Sequence, residues 1–227
     1  IAISDLPEQF YSSDYYTDKL IQYLESGKNS GQPFFAYAAY TAPHWPIQAP
    51  KQYSDKYKGF YDAGYDAIRD ARIRRQKQLG IIPENFQAAE PLNTASLPKY
   101  AKWSELSADQ KALEARKMEV YAGMVDNLDH NIGRLIQYLK ANGQYENTLI
   151  FFVSDNGAEG FVRGTYGAES GFDNSLEQVG TANSYHYIGP RWAEVSAAPF
   201  HLWKDTASEG APTAPAIVKL PNQKAAE

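Results

Sequence analysis

Leu149-Ile150-Phe151-Phe152-Val153 is a continuous apolar run of β-branched, aromatic and aliphatic residues that stops at Ser154-Asp155-Asn156-Gly157. It is too short for a helix and has no polar face. The run therefore reads as a strand covered on both sides, as in a parallel sheet. At its end, glycine relaxes the steric limits on the backbone, and the polar side chains need water, a partner or a metal. In open α/β sheets, ligands sit beyond the carboxyl ends of the strands. The adjacent oxygens of Asp155 and Asn156 suit a hard divalent cation there. They suit an Asx-type turn without a ligand equally well.

The segments before this run alternate in the way an α/β chain does. Ser12, Ser13 and Asp14 can cap a helix running towards Gly27, with Tyr16, Leu20, Tyr23 and Leu24 at helical spacing. A second aromatic-rich run, 33–40, reads as another buried strand. It ends in Thr41-Ala42-Pro43-His44-Trp45-Pro46, where two prolines bracket His44 and Trp45 and restrict the backbone. A histidine on such a rigid loop can transfer protons, or can simply pack beside Trp45. Residues 61–79 read as a helix whose Arg69, Arg72, Arg74, Arg75 and Lys77 form a solvated charged face, ended by Gly80.

Residues 81–106, with Pro83, Pro91 and Pro98, form a long connection without periodicity. Ser107-Ala108-Asp109-Gln110 is a capping-box pattern opening the longest helix, 107–141. Met118, Tyr121, Val125, Leu128, Ile132, Leu135 and Leu139 give it an apolar stripe, and Asn142-Gly143 closes it. This helix delivers the chain directly into the strand at 148–153, a step typical of α/β architecture. Residues 161–200 lack apolar periodicity and read as irregular loops over a site. Lys204 follows the aromatic-apolar segment 198–203. It either snorkels to solvent or offers a point charge to an oxyanion. A last strand is expected at 214–218, before a polar tail.

Composition removes several function classes. A net charge of −5 gives no concentrated basic face, which argues against a nucleic-acid partner. No apolar stretch is long enough to span a bilayer. There is no cysteine, so disulfides, thiolate metal sites and a cysteine nucleophile are excluded within these residues, and the redox compartment is undetermined. Ile1-Ala2-Ile3-Ser4-Asp5 has neither a charged n-region nor an apolar h-region, so it does not read as a signal peptide.

Four segments in register resemble the sulfatase family of the alkaline-phosphatase superfamily, and bacterial-type arylsulfatases in particular. They are Pro33-Phe34-Phe35-Ala36-Tyr37 running into Thr41-Ala42-Pro43-His44-Trp45-Pro46, Tyr121-Ala122-Gly123-Met124-Val125-Asp126-Asn127-Leu128-Asp129 leading to Ile132-Gly133-Arg134, Ser154-Asp155-Asn156-Gly157-Ala158-Glu159-Gly160, and Ala198-Pro199-Phe200 through Lys204 to Pro215-Ala216-Ile217-Val218. The resemblance covers almost the whole chain. It implies a mostly parallel sheet flanked by helices, incomplete at both ends. It also implies that residues 1–227 are part of a sulfatase catalytic domain lacking the N-terminal nucleophile region and the small C-terminal domain.

The function implied is cleavage of sulfate esters, of small molecules or carbohydrates. Asp155 and Asn156 would be ligands of calcium, or of magnesium as in some relatives. His44 and Lys204 would contact the sulfate and bridging oxygen, with His44 a candidate general acid. The family nucleophile is a formylglycine made from cysteine or serine in a motif that lies upstream in the family, together with further metal- and sulfate-binding residues. The family's Glu-Gly-Gly-Ile-Arg-x-Pro stretch appears here as Glu209-Gly210-Ala211-Pro212-Thr213-Ala214-Pro215, without the arginine. By family habit the location is periplasmic or secreted, although cytoplasmic members exist. Two alternatives stand beside this reading: a phosphonate or phosphate ester hydrolase of the same superfamily, and a non-catalytic sulfatase-like fragment or binding module.

Overall fold

The computed structural model describes residues 6–7, 9–92, 100–162 and 171–222. Its helices are α1 (Ser12–Gly27), α2 (Lys51–Ser54), α3 (Gly64–Gln78), α4 (Ala108–Ala141) and α5 (Gly189–Ala197), and its strands are β1 (Ile150–Val153) and β2 (Ala216–Lys219). Ile1-Ala2-Ile3-Ser4-Asp5, Pro98 within the long connection, residues 163–170 of the expected loop region and the tail 223–227 lie outside the described residues. Among the described residues, no helix is long and apolar enough to cross a membrane.

α4 begins where its capping box predicts. Ser107 Oγ accepts the Gln110 amide at 3.2 Å, and Gln110 Oε1 accepts the Ser107 amide at 2.8 Å. It ends at Asn142-Gly143, with Gly143 at φ +65°. The predicted stripe is only partly the buried one: Met118, Leu128 and Leu139 are buried, but Val125 is exposed. The buried surface also takes in Lys117, Val120, Met124, Asn127 and Asn131: Val120 and Met124 join the core around Trp192, and α1 packs on Asn127 and Asn131 through polar contacts. Asp14 Oδ1 accepts from Asn127 Nδ2 at 2.9 Å and from Asn131 Nδ2 at 2.7 Å. Accordingly α1 keeps its predicted span but buries Ser13 and Thr17, while Tyr16 and Tyr23 face solvent. On another side of α4, a Cβ at Gly123 would lie 2.7 Å from the Ser54 backbone, so glycine lets α2 approach closely.

The centre of the core is α5, a helix within the region read from sequence as irregular loop. Pro190 occupies its first turn. Gly189, Pro190, Arg191, Trp192, Ala193, Glu194, Val195 and Ala197 are all buried. Its polar residues Arg191 and Glu194 turn into the structure rather than to solvent, so the helix lacks the exposed polar face that marks a surface helix. Trp192 is 0 % exposed and meets the rings of Tyr61, Tyr65 and Trp103 at 4.7–6.0 Å, all edge-on. Its indole N–H donates to the Glu114 carbonyl of α4 at 3.0 Å.

The sheet departs from expectation. β1 pairs antiparallel with β2, Ile150 opposite Lys219 and Val153 opposite Ala216, and this ribbon is the only sheet among the described residues. Phe151 and Val153 are exposed rather than covered. Residues 33–40 form no strand, and Phe35 is 94 % exposed. A doubly covered parallel strand needs neighbouring strands and helices on both faces. Among the described residues the run at 149–153 has β2 as its one strand neighbour and 33–40 has none, so composition suited to a sheet interior is left at the surface. The charged face of α3 also differs from expectation: Arg69 is buried.

The core carries ionisable groups as well. Lys117 and Glu114 form a buried ion pair at 2.6 Å, and burial holds the Lys117 ammonium below its usual range. His186, 1 % exposed, lies beside this pair, and its backbone carbonyl accepts the Ile47 amide at 3.0 Å. Burial, reinforced by the Lys117 charge, lowers the His186 pKa from 6.5 to about 4. The unfolded chain thus binds the proton more readily between those values, so the contribution to stability is complete above pH 6.5 and is lost as pH falls towards 4. The loss is expected to approach roughly 3 kcal/mol, and His186→Phe should flatten this part of the stability–pH curve. Urea denaturation at several pH values checks it; an unchanged slope in the variant removes His186 as the cause.

Candidate functional site

Two loops build the site. The first is the turn 154–160 that follows β1, and the second is the segment 198–212 that follows α5. The Ser154 hydroxyl donates to the Asn156 carbonyl at 2.8 Å and tightens the first loop. The loops are then clipped together by backbone hydrogen bonds. Gly157 N–H donates to the Ala211 carbonyl at 2.7 Å, and Lys204 N–H donates to the Ala158 carbonyl at 2.9 Å.

Glycine makes this contact sterically feasible. A Cβ on Gly157 would stand 1.9 Å from the Gly210 carbonyl oxygen, and one on Gly210 would stand 2.2 Å from the Leu202 oxygen. A Cβ on Gly160 would meet the Trp203 indole at 2.4 Å. Gly157 lies outside the left-handed φ region, so its role is close approach rather than backbone freedom. Leu202 at φ 60° and Asp205 at φ 68° flank Trp203 and Lys204 in a region side chains rarely adopt. Such strain persists only where surrounding contacts over-determine the backbone, as the clips do here.

Asn156 and Lys204 thereby line one hollow of about 600 Å³, together with Asp205, Thr206, Ser208 and Glu209. Asn156 Nδ2 donates to the Gly157 carbonyl at 2.9 Å, which leaves its Oδ1 as an acceptor. Asp155, the preceding residue, is exposed. Lys204 Nζ is 3.1 Å from Glu159 Oε2, while Glu159 Oε1 accepts the Phe161 amide at 2.7 Å. Glu159 is therefore anchored by one oxygen and holds Lys204 with the other. Its position was visible in the motif, but only the fold shows that it faces Lys204.

His44 lies apart from this hollow. Its Nδ1 donates to the Trp45 carbonyl at 2.7 Å, which selects Nε2 as the ring atom open to exchange. The exposed ring packs 4.7 Å from Trp45, which in turn meets Tyr185 and Tyr187 at 5.9 and 5.0 Å. Among the described residues, no hydrogen bond, ion pair or ring contact joins His44 to Asp155, Asn156 or Lys204. The structure thus brings together two of the expected residues, with Asp155 adjacent, and leaves the fourth on its own loop.

The donors available to a metal fit a hard cation in kind but not in number. Asp155 and Asn156 offer two oxygens where calcium takes about six or more. No group of three or more His, Asp or Glu side chains that could hold an ion occurs among the described residues. Steric interlock of the loops is a firmer property of the site. Gly157→Ala is expected to destabilise the chain by about 1–3 kcal/mol through the clash with Gly210. By contrast Gly133→Ala, on α4 with open space around it, should stabilise by up to about 1 kcal/mol through helix propensity. Chemical denaturation of both variants checks the opposite signs; a fully stable Gly157→Ala protein would show that the loops do not interlock.

Comparison with known proteins gives the chain a family. The sulfatase family model matches residues 3–227. An uncharacterized sulfatase of Schizosaccharomyces pombe is 47 % identical over 222 residues, covering 94 % of this chain and 39 % of that protein. An arylsulfatase of Klebsiella aerogenes is 40 % identical over 210 residues, covering 90 % of this chain and 44 % of that protein. The crystal structure of yidJ from Bacteroides fragilis superposes with a TM-score of 0.50 over 94 % of this chain and 32 % of that one; at 18 % identity it speaks for the fold alone. The chain thus spans less than half the length of these relatives. Matched from end to end by the family model, and close in sequence to two of its members, it belongs to the sulfatase family.

Proposed function

We propose that the protein carrying this chain hydrolyses sulfate esters, and that the hollow between Asn156 and Lys204 receives the sulfuryl group. The observation that carries the reading is their juxtaposition across one hollow, within a chain matched throughout by the sulfatase model. Lys204, held by Glu159, is a compact cation suited to the sulfuryl oxygens, on which negative charge builds as the ester bond breaks. His44, with Nε2 open, is suited to hand a proton to the departing alkoxide or phenoxide. That role requires the His44 loop to face the same substrate from a separate direction.

In this reading Asp155 and Asn156 supply two ligands of a calcium or magnesium ion, whose contribution when bound is to neutralise charge on the sulfuryl oxygens. The nucleophile is a formylglycine outside these residues, as the family resemblance implies. The substrate class is a small-molecule or carbohydrate sulfate ester, in keeping with the arylsulfatase similarity.

Hydrolysis of an aryl sulfate by the intact protein tests the reading. Lys204→Ala is expected to lower kcat/KM by about 100-fold or more, the scale of losing one charge-stabilising group in a transition state. Cleavage of phosphonate or phosphate esters with no action on sulfate esters would transfer the site to the alternative hydrolase. No hydrolysis of either would leave a binding module. Residues 1–227 on their own should show no calcium-dependent rise in Tm beyond about 1 °C at millimolar calcium, because two oxygen ligands bind calcium too weakly to shift the folding equilibrium. A clear rise in a thermal melt would contradict that.

A further inference from the structure

A second charged cavity, sharing no residue with the Asn156–Lys204 hollow, lies between α3, α5 and the connection that joins α3 to α4. It has a volume of about 290 Å³, and its lining includes Arg69, Lys102 and Arg191 with Asp66 and Glu194. The charges are not equally engaged. Glu194 Oε1 accepts the Leu92 amide at 2.6 Å, and its Oε2 pairs with Arg191 Nη1 at 3.1 Å. Arg191 also donates to the Tyr100 and Leu92 carbonyls, both at 2.8 Å. That pair is internally satisfied and fastens the connection on both sides of residues 93–99.

Arg69 is different. It is 7 % exposed, its Nη2 reaches only the Ala89 carbonyl, and its buried Nε has no hydrogen-bond partner. Among the described residues it forms no ion pair. Residues 93–99, Asn-Thr-Ala-Ser-Leu-Pro-Lys, contain no carboxylate that could supply one. A guanidinium keeps its charge at any accessible pH, and a buried charge without a counter-charge is costly. Such a group, beside an open cavity, is placed for an anion that completes it.

We infer that this cavity binds a singly charged oxyanion, with Arg69 as its principal anchor and Lys102 at its rim. Three cations against two carboxylates leave one net positive charge, which matches a carboxylate or the head of a sulfate ester rather than a dianion. A planar guanidinium presents paired N–H groups to two oxygens of either head group. The inference goes beyond sulfate ester hydrolysis and does not depend on it. The cavity nonetheless adjoins the segment that carries Lys204, because the Tyr100 ring stacks on Trp203 at 6.1 Å.

The test is calorimetric and thermal titration of the intact protein with sodium acetate and, separately, sodium methanesulfonate, each against sodium chloride at equal ionic strength. Saturable binding of at least one oxyanion is expected. Arg69→Gln should weaken it at least about tenfold, as loss of charge-assisted hydrogen bonds implies. Lys102→Gln, an exposed change, should weaken it several-fold, and Lys204→Ala should leave it unchanged. Preference for acetate identifies a carboxylate ligand, and preference for methanesulfonate a sulfate-ester head. Absence of saturable binding overturns the proposal, as does binding abolished by Lys204→Ala but kept in Arg69→Gln. If Arg69→Gln does not fold, unchanged affinity in Lys102→Gln overturns it instead.

Discussion

The burial of α5 is the constraint on which the rest of the described structure depends. Trp192 is enclosed by aromatic rings from α3 and the two loops flanking it, and its indole N–H is tied to the α4 backbone. A side chain this large fixes the spacing of everything around it, because a close-packed interior leaves no room for drift. The Gly64 position shows how tight the arrangement is: a Cβ there would lie 2.3 Å from the Trp103 ring. α5 also aims the two halves of the site region. Its C-terminal end releases the chain into the Lys204 segment, while its Arg191 and Glu194 hold the connection between α3 and α4.

Helix boundaries were legible wherever a local chemical signal defined them. Ser107 and Gln110 satisfy each other's backbone groups, and Gly143 stops α4, so both ends depend on nearest neighbours in the chain. Faces were less legible than boundaries. The surface that a helix buries is set by its partner, and for α1 and α4 that partner contact runs through Asp14, Asn127 and Asn131 rather than through an apolar stripe. α5 is hard to read because it is only nine residues long and its charged residues, Arg191 and Glu194, face buried partners instead of solvent. The burial of Arg69 is not legible because a run of cations gives no indication of which member turns inward.

Two of the three expected strands form, as β1 and β2, but their pairing and burial differ from expectation for a separate reason. A helix completes its hydrogen bonds within itself, but a strand is defined by its neighbours. The runs at 33–40 and 149–153 have the composition of buried strands, yet the described residues offer the second only one antiparallel partner and the first none. The sulfatase resemblance carried the expected sheet, and the chain spans 39 % and 44 % of the two curated relatives compared above. Sequence composition therefore described an environment that these residues do not themselves create.

The relation of Asn156 to Lys204 in the candidate site does not come from the sheet. Asn156 and Lys204 are related by the interlock of two loops, through Gly157 against Gly210, Gly160 against Trp203, and the Lys204 amide on the Ala158 carbonyl. The first is an approach of backbone to backbone, the second of backbone to an indole ring, and a Cβ would block either; with the Lys204 hydrogen bond they specify the relative position of the two residues. Glu159 then fixes the one flexible member, because a lysine stem has several rotatable bonds and no preferred end point. In the sequence these residues appear as a motif and a distant lysine. The fold joins them through glycines whose absent side chains leave room for the opposing backbone, which is why glycine there encodes the site as firmly as the polar residues do.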